Sequence, residues 1–153
     1  MALKHFPPSG GTLSSYLVGS WNSTKDETTF LLINPTSQDL SFRAVFFDMN
    51  GNPLLPCVRD KVPANGARRL TVPAFDYSGE GVVKVVSFID NEEKQVAPGL
   101  VGYKILWKWK WIGSWLFFKE TITLSETPLF QIPFEVLTDD SNKELNKIMT
   151  ACP

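Results

Sequence analysis

The side chains able to do chemistry are few, and their spacing excludes more than it permits. One histidine, His5, stands near the start, and the two cysteines, Cys57 and Cys152, lie far apart. Ser-His-Asp and Cys-His nucleophile systems need a histidine held in an ordered site. A zinc site needs several Cys, His or acidic ligands converging on one point. Neither is supplied, so no metal, no cofactor and no catalytic residue is expected. Asp26, Glu27, Asp76, Glu80, Asp90, Glu92, Glu93, Asp139 and Asp140 fall mostly in turn-forming segments, where solvation is their ordinary role. Asp48, Asn50 and Asn52 open like a calcium loop, but Pro53 stands where the glycine belongs and Arg59 where the glutamate belongs. They read instead as turn formers around Asn50-Gly51.

The run Trp107-Lys108-Trp109-Lys110-Trp111 suggests base stacking beside a phosphate-binding cation. On a strand, however, neighbouring side chains point to opposite faces, so these Trp and Lys residues cannot hold a base and its phosphate together. A formal net charge of −1 also gives no field toward nucleic acid or an anionic membrane. The tryptophans are expected in the core, with the lysines on the wet face. If that face is open instead, Trp107, Trp109 and Trp111 form a sugar-stacking platform. The basic residues Arg43, Arg59, Lys61, Arg68 and Arg69 read as a solvated surface balanced by Asp48, Asp60 and Asp76.

The elements that must position these groups centre on residues 101 to 124, a long hairpin expected to turn at Gly113-Ser114. That turn pairs Trp111 with Leu116, Trp109 with Phe118, Trp107 with Glu120, Ile105 with Ile122 and Tyr103 with Leu124. Ile112, Trp115 and Phe117 then gather beside the turn on the otherwise polar face, as a partner-binding tip. Further strands are expected over 13–21, 28–33, 40–49, 54–61, 67–72, 82–89 and 129–137, separated by Asn-, Pro- and Gly-rich turns. In the strand from Leu40, residues Leu40, Phe42, Ala44 and Phe46 share one face, and Ser41, Arg43, Val45 and Phe47 the other. Ser141 and Glu144 form a capping box for a tail helix whose stripe is Leu145, Ile148 and Met149. So short a helix must dock, on its own sandwich or on a neighbour.

The sequence therefore predicts an all-β chain: a single antiparallel β-sandwich, immunoglobulin-like or jelly-roll-like, with one short C-terminal helix. Its parts are a flexible arm over 1–12, the sandwich over 13–138 and the helical tail over 139–153. At 153 residues, with 43% hydrophobic content and eleven Phe, one domain with a sizeable core is expected. The start lacks a secretory pattern, and no run reaches the roughly 20 apolar residues of a membrane helix. The expected setting is the cytoplasm. Asn22-Ser23-Thr24 is a glycosylation sequon that matters only in a eukaryotic secretory setting. Cys57 and Cys152 are expected as partly buried free thiols, with a disulfide between them the alternative.

Residues 30–75 carry Asn34 in a turn after an apolar strand, Phe46-Phe47-Asp48 before a second turn, and Val62-Pro63-Ala64 with Arg68. This pattern resembles the prokaryotic sensory-rhodopsin-transducer-like family. The resemblance implies a small cytoplasmic sandwich that assembles as a homo-oligomer and acts through binding, and it transfers no functional residue. The expected function is a non-catalytic protein-interaction and assembly module whose partner is itself. The first alternative is a carbohydrate-binding module using exposed Trp or Tyr, so that another protein or a glycan is the partner. The second is a carboxylate-dependent hydrolase.

Overall fold

The computed structural model describes residues 15–22, 27–71, 79–89, 99–112, 118–133 and 143–152. Among them, nine strands form two antiparallel sheets and one helix follows. The strands are β1 (Ser15–Asn22), β2 (Glu27–Ile33), β3 (Leu40–Asp48), β4 (Pro53–Val62), β5 (Ala67–Thr71), β6 (Glu80–Phe88), β7 (Val101–Ile112), β8 (Phe118–Pro128) and β9 (Phe130–Pro133). The helix α1 spans Lys143–Ala151. One sheet has the order β4-β3-β6-β1-β9 and the other β5-β2-β7-β8. The all-β sandwich with a short tail helix is what the alternation pattern predicts.

The core lies between the sheets. Leu40, Phe42, Ala44 and Phe46 of β3 face it, together with Leu17 and Trp21 of β1, Phe30 and Leu32 of β2, and Val83 and Val85 of β6. Trp21 meets Phe46 edge-on, with ring centroids 6.4 Å apart, and its indole N–H donates to the Phe47 carbonyl. A buried indole thus keeps a hydrogen-bond partner. Buried Asn34 does likewise: its amide donates to the Gln38 and Val62 carbonyls, and its oxygen accepts from the Thr36 amide and hydroxyl. That one side chain ties the β2–β3 turn to β4.

Leu129 crosses from one sheet to the other, between β8 and β9, and its amide donates to the Gly102 carbonyl. It fills a slot between Gly19 and Gly102. A Cβ on either glycine would lie within 2.3 Å or 2.6 Å of the Leu129 methyl groups. Contacts that short do not occur, so a side chain at either position would displace Leu129 from its slot. Gly102 pairs with core-facing Leu32, and Lys104 with core-facing Phe30. The even-numbered residues of this part of β7 therefore face inward, and Lys104 reaches the Ser20 hydroxyl from there.

This register overturns two expectations. Val101, Tyr103, Ile105 and Trp107 face away from the core rather than into it, because position 102 must be empty of side chain for Leu129. The hairpin also pairs differently. Trp107 stands opposite Thr123, Trp109 opposite Thr121, Trp111 opposite Lys119 and Ile112 opposite Phe118. Tyr103 pairs with Pro128 and Ile105 with Glu126, and the ladder shifts between Leu106 and Trp107. The expected turn at Gly113-Ser114 and the partner Leu116 lie outside the described residues. Ile112 pairs with Phe118, where the expected turn would have placed Trp115 opposite it. The observed register also sets position 110 against 120 and position 108 against 122.

The second face of β3 is buried too. Val45 packs with Val86 and Phe88 of β6 and with Ile148 and Cys152 of the tail, while Cys57 and Met149 flank them. The tail helix thus lies on the outside of the five-stranded sheet. Cys57 and Cys152 are joined in a disulfide with Cα atoms 5.4 Å apart, not held as free thiols. Alternation along β4 explains the reach: Val58 turns to the core, so Cys57 turns outward toward the tail. Arg43, expected at the surface, is buried there and donates to the Cys152 carbonyl and, at 3.5 Å, to the Met149 carbonyl. The last carbonyls of a helix lack intrahelical partners and carry its negative dipole end. The last turn of α1 has no basic residue of its own, so the sheet supplies the cation.

The bridge closes a loop with a sequence separation of 95 residues. Replacing Cys57 by Ser and Cys152 by Ala together is expected to lower unfolding stability by about 2–5 kcal/mol. Urea denaturation of both proteins checks this, and coincident curves would refute it.

Candidate functional site

Two outward surfaces carry the side chains most suited to recognition. The first is the outer face of the four-stranded sheet. Antiparallel sheets usually show water a polar face. Here Leu31 and Ile33 of β2 and Val101, Ile105 and Trp107 of β7 are all partly exposed, and Tyr103 is 38% exposed. The Trp107 indole N–H donates to the Thr29 hydroxyl at 2.8 Å, which fixes the ring on that face. Among the described residues Trp107 is the last of β7 paired with β2, and strands β7 and β8 pair with each other over five more positions, Lys108 to Ile112.

Of the residues singled out from the sequence, Trp107 lies on this face, and Trp109 and Trp111 continue along the same strand. Ile112 ends β7 opposite Phe118. Trp115 and Phe117, the other two residues of the expected tip, lie outside the described residues. Leu31, Ile33 and Tyr103 were not singled out. Their signal was the odd-numbered apolar set on both β2 and β7, which is legible once the core side of β2 is known.

The second surface is a groove on the other sheet, beside α1. It measures about 1070 Å³ and is lined by Phe47, Met49, Pro53, Val82, Thr150 and Ala151, with Lys84 and Lys147 adding positive charge. Strands β3 and β6 form its floor, α1 one wall, and the β3–β4 turn another. The Lys84 ammonium lies 5.7 Å from the Tyr16 ring centre and 5.4 Å from that of Phe47, both within cation–π range. Met49, at 70% exposure, projects from the turn.

Asp48 builds that turn. Its carboxylate accepts from the Asn50 and Asn52 amides, at 2.8 Å and 2.9 Å, and from the Asn52 side chain. Gly51 alone in this turn takes a positive φ, at 83°. The calcium-like spacing of Asp48, Asn50 and Asn52 is thus turn chemistry. No group of three or more His, Cys, Asp or Glu side chains suited to a metal occurs among the described residues. Of the basic residues, Arg68 pairs with Asp60 at 3.5 Å and donates to the Lys61 carbonyl. Asp76 lies outside the described residues, as do His5, residues 1–12, the Asn22 sequon's Ser23 and Thr24, and Asp139 and Asp140.

No family model matches the chain, and no curated protein does. Among solved structures, the chain is similar to a Thermotoga maritima protein described as "Crystal Structure of Thermotoga maritima 1070". The identity is 9% and the TM-score 0.44, over 74% of this chain and 93% of that one. A likeness of that degree carries no argument about function.

The Asn52 amide, followed by the Asn50 amide, the Asn52 side chain and the Gly51 amide, holds the Asp48 carboxyl below its ordinary pKa. A carboxylate depressed in the folded state stabilises the protein above its unfolded pKa and loses that contribution as pH falls through the folded value. The stability difference between the wild type and Asp48→Asn should therefore be largest above about pH 5 and shrink toward pH 2. Denaturant midpoints measured across that range check it. A difference independent of pH would contradict it.

Proposed function

We propose that this protein is a non-catalytic interaction and assembly module that associates with its own copy through the outer face of β2 and β7. The observation that supports this is the apolar row on that face: Leu31, Ile33, Val101, Ile105 and Trp107, with Tyr103 exposed among them. An exposed apolar patch on a folded domain marks a contact surface. Tyr and Trp are the residues best suited to it, since they bury much area with few rotors to fix. The β7–β8 ribbon beyond Trp107 would join the same interface. The resemblance to the sensory-rhodopsin-transducer-like family is in keeping with assembly, and no signalling role is taken from it.

A glycan-binding module is the second reading, favoured by the outward placement of Trp107 and its ring being held by Thr29. Under that reading Trp109 and Trp111 would extend the platform along β7. A hydrolase finds no comparable support among the described carboxylates, of which Asp48 serves a turn and Asp60 pairs with Arg68.

No described helix is long and apolar enough to cross a membrane. The cytoplasmic setting expected from the sequence sits poorly with the Cys57–Cys152 bridge, because such bridges persist mainly in oxidising compartments. We therefore favour an oxidising compartment.

Light scattering on a gel-filtration peak tests the assembly reading. The wild type should give the mass of a dimer or larger closed oligomer, and Tyr103→Glu, at an exposed position, should give the monomer with an unchanged circular dichroism spectrum. A wild type that stays monomeric at millimolar concentration removes the reading. A tryptophan fluorescence change on adding glycans from a broad panel would then favour the sugar platform.

A further inference from the structure

We propose that the groove beside α1 binds an anionic amphiphile, a single long-chain carboxylate. Three observations carry this, and none depends on the β2–β7 face. First, the volume of about 1070 Å³ is that of a ligand site, and most of its lining is apolar. Phe47, Met49, Pro53, Val82 and Ala151 offer no hydrogen-bonding side chain, and the Thr150 hydroxyl is the one neutral polar side-chain group beside them, which suits a largely hydrocarbon ligand.

Second, the charged residues of the lining select the head group. Lys84 and Lys147 are cations, while the one acid, Asp48, turns its carboxylate to the Asn50 and Asn52 amides. Lys147 is exposed at the helix rim, where an ammonium can meet a carboxylate still partly in water. Lys84 sits deeper, between aromatic rings, and adds positive potential at the floor.

Third, the apolar surface does not stop at the groove. Lys84 pairs with Val18 of β1, and Val18 with Phe130 of β9. This row of the sheet leads from the groove floor to Phe130, which is 72% exposed, and Ile132 lies two residues on at 37%. An acyl chain with its head at Lys147 that outgrows the groove would meet the Lys84 stem, Val18 and Phe130 along this row. The helix wall is held in place by the disulfide and by Arg43, so the site is preformed, which reduces the ordering cost of binding.

The test is isothermal titration calorimetry with sodium decanoate and sodium dodecanoate, each below its micelle concentration, and with dodecanol as the uncharged control. Dodecanoate should bind about tenfold more tightly than decanoate, as burial of two further methylenes requires. It should also bind about tenfold more tightly than dodecanol. Lys147→Glu should weaken dodecanoate by about tenfold and leave dodecanol unchanged, the loss of one charge-assisted contact. Met49→Asp should weaken both. Both variants lie at exposed positions, and circular dichroism confirms that they fold. The proposal is overturned if dodecanoate does not bind, or if Lys147→Glu binds it as the wild type does. It is also overturned if the protein binds phosphatidylserine vesicles and not monomeric dodecanoate, or if Met49→Asp changes the solution mass in place of ligand binding.

Discussion

The arrangement depends on the contact between Arg43 and the end of the tail. A helix of nine residues does not persist alone in water, and this one is fastened at its C-terminus by a sheet guanidinium and by the bond from Cys57 to Cys152. Removing Arg43 would leave buried carbonyls without a donor, and removing the carbonyls would leave a buried cation without acceptors. Either loss is costly, because an unpaired buried polar group forfeits its hydration with no return. The pairing explains why β3 is buried on both faces while remaining part of an antiparallel sheet. It also fixes one wall of the groove, so the shape of that surface follows from a fastening several residues away.

Much of the fold was legible in the sequence, and β3 shows why. Its alternation put Leu40, Phe42, Ala44 and Phe46 on one side and Arg43 and Val45 on the other, and the structure uses both sets as layers. The turns were legible for similar reasons: Asn34, Asp48 and Gly51 are residues whose short-range chemistry has few alternatives. What alternation cannot tell is which of two apolar faces is the inner one. On β7 the answer rests on Leu129 needing the space at Gly102, a contact between residues 27 positions apart and invisible to local pattern. Trp107 was therefore assigned to the wrong side.

The hairpin register failed for a related reason. A Gly-Ser pair reads as a tight turn, but pairing is decided by the whole ladder, including the shift at Leu106 and Trp107. The disulfide was likewise not decidable from spacing, since two cysteines at opposite ends meet only if the tail returns to β4. Neither the groove nor the β2–β7 patch has a sequence motif. Each is made by side chains from several strands, and only the strand order brings them together.

In the proposed reading the two outer faces have a division of labour: one sheet is covered and fastened by its own tail, and the other offers its half-buried apolar row for contact. Hydroxyl-radical footprinting of dilute and concentrated protein examines that division directly. The account predicts that Tyr103 and Trp107 lose reactivity as concentration rises, while Met49, on the groove side, stays equally reactive. Equal labelling of Tyr103 and Trp107 at all concentrations, or protection at Met49 instead, would contradict it.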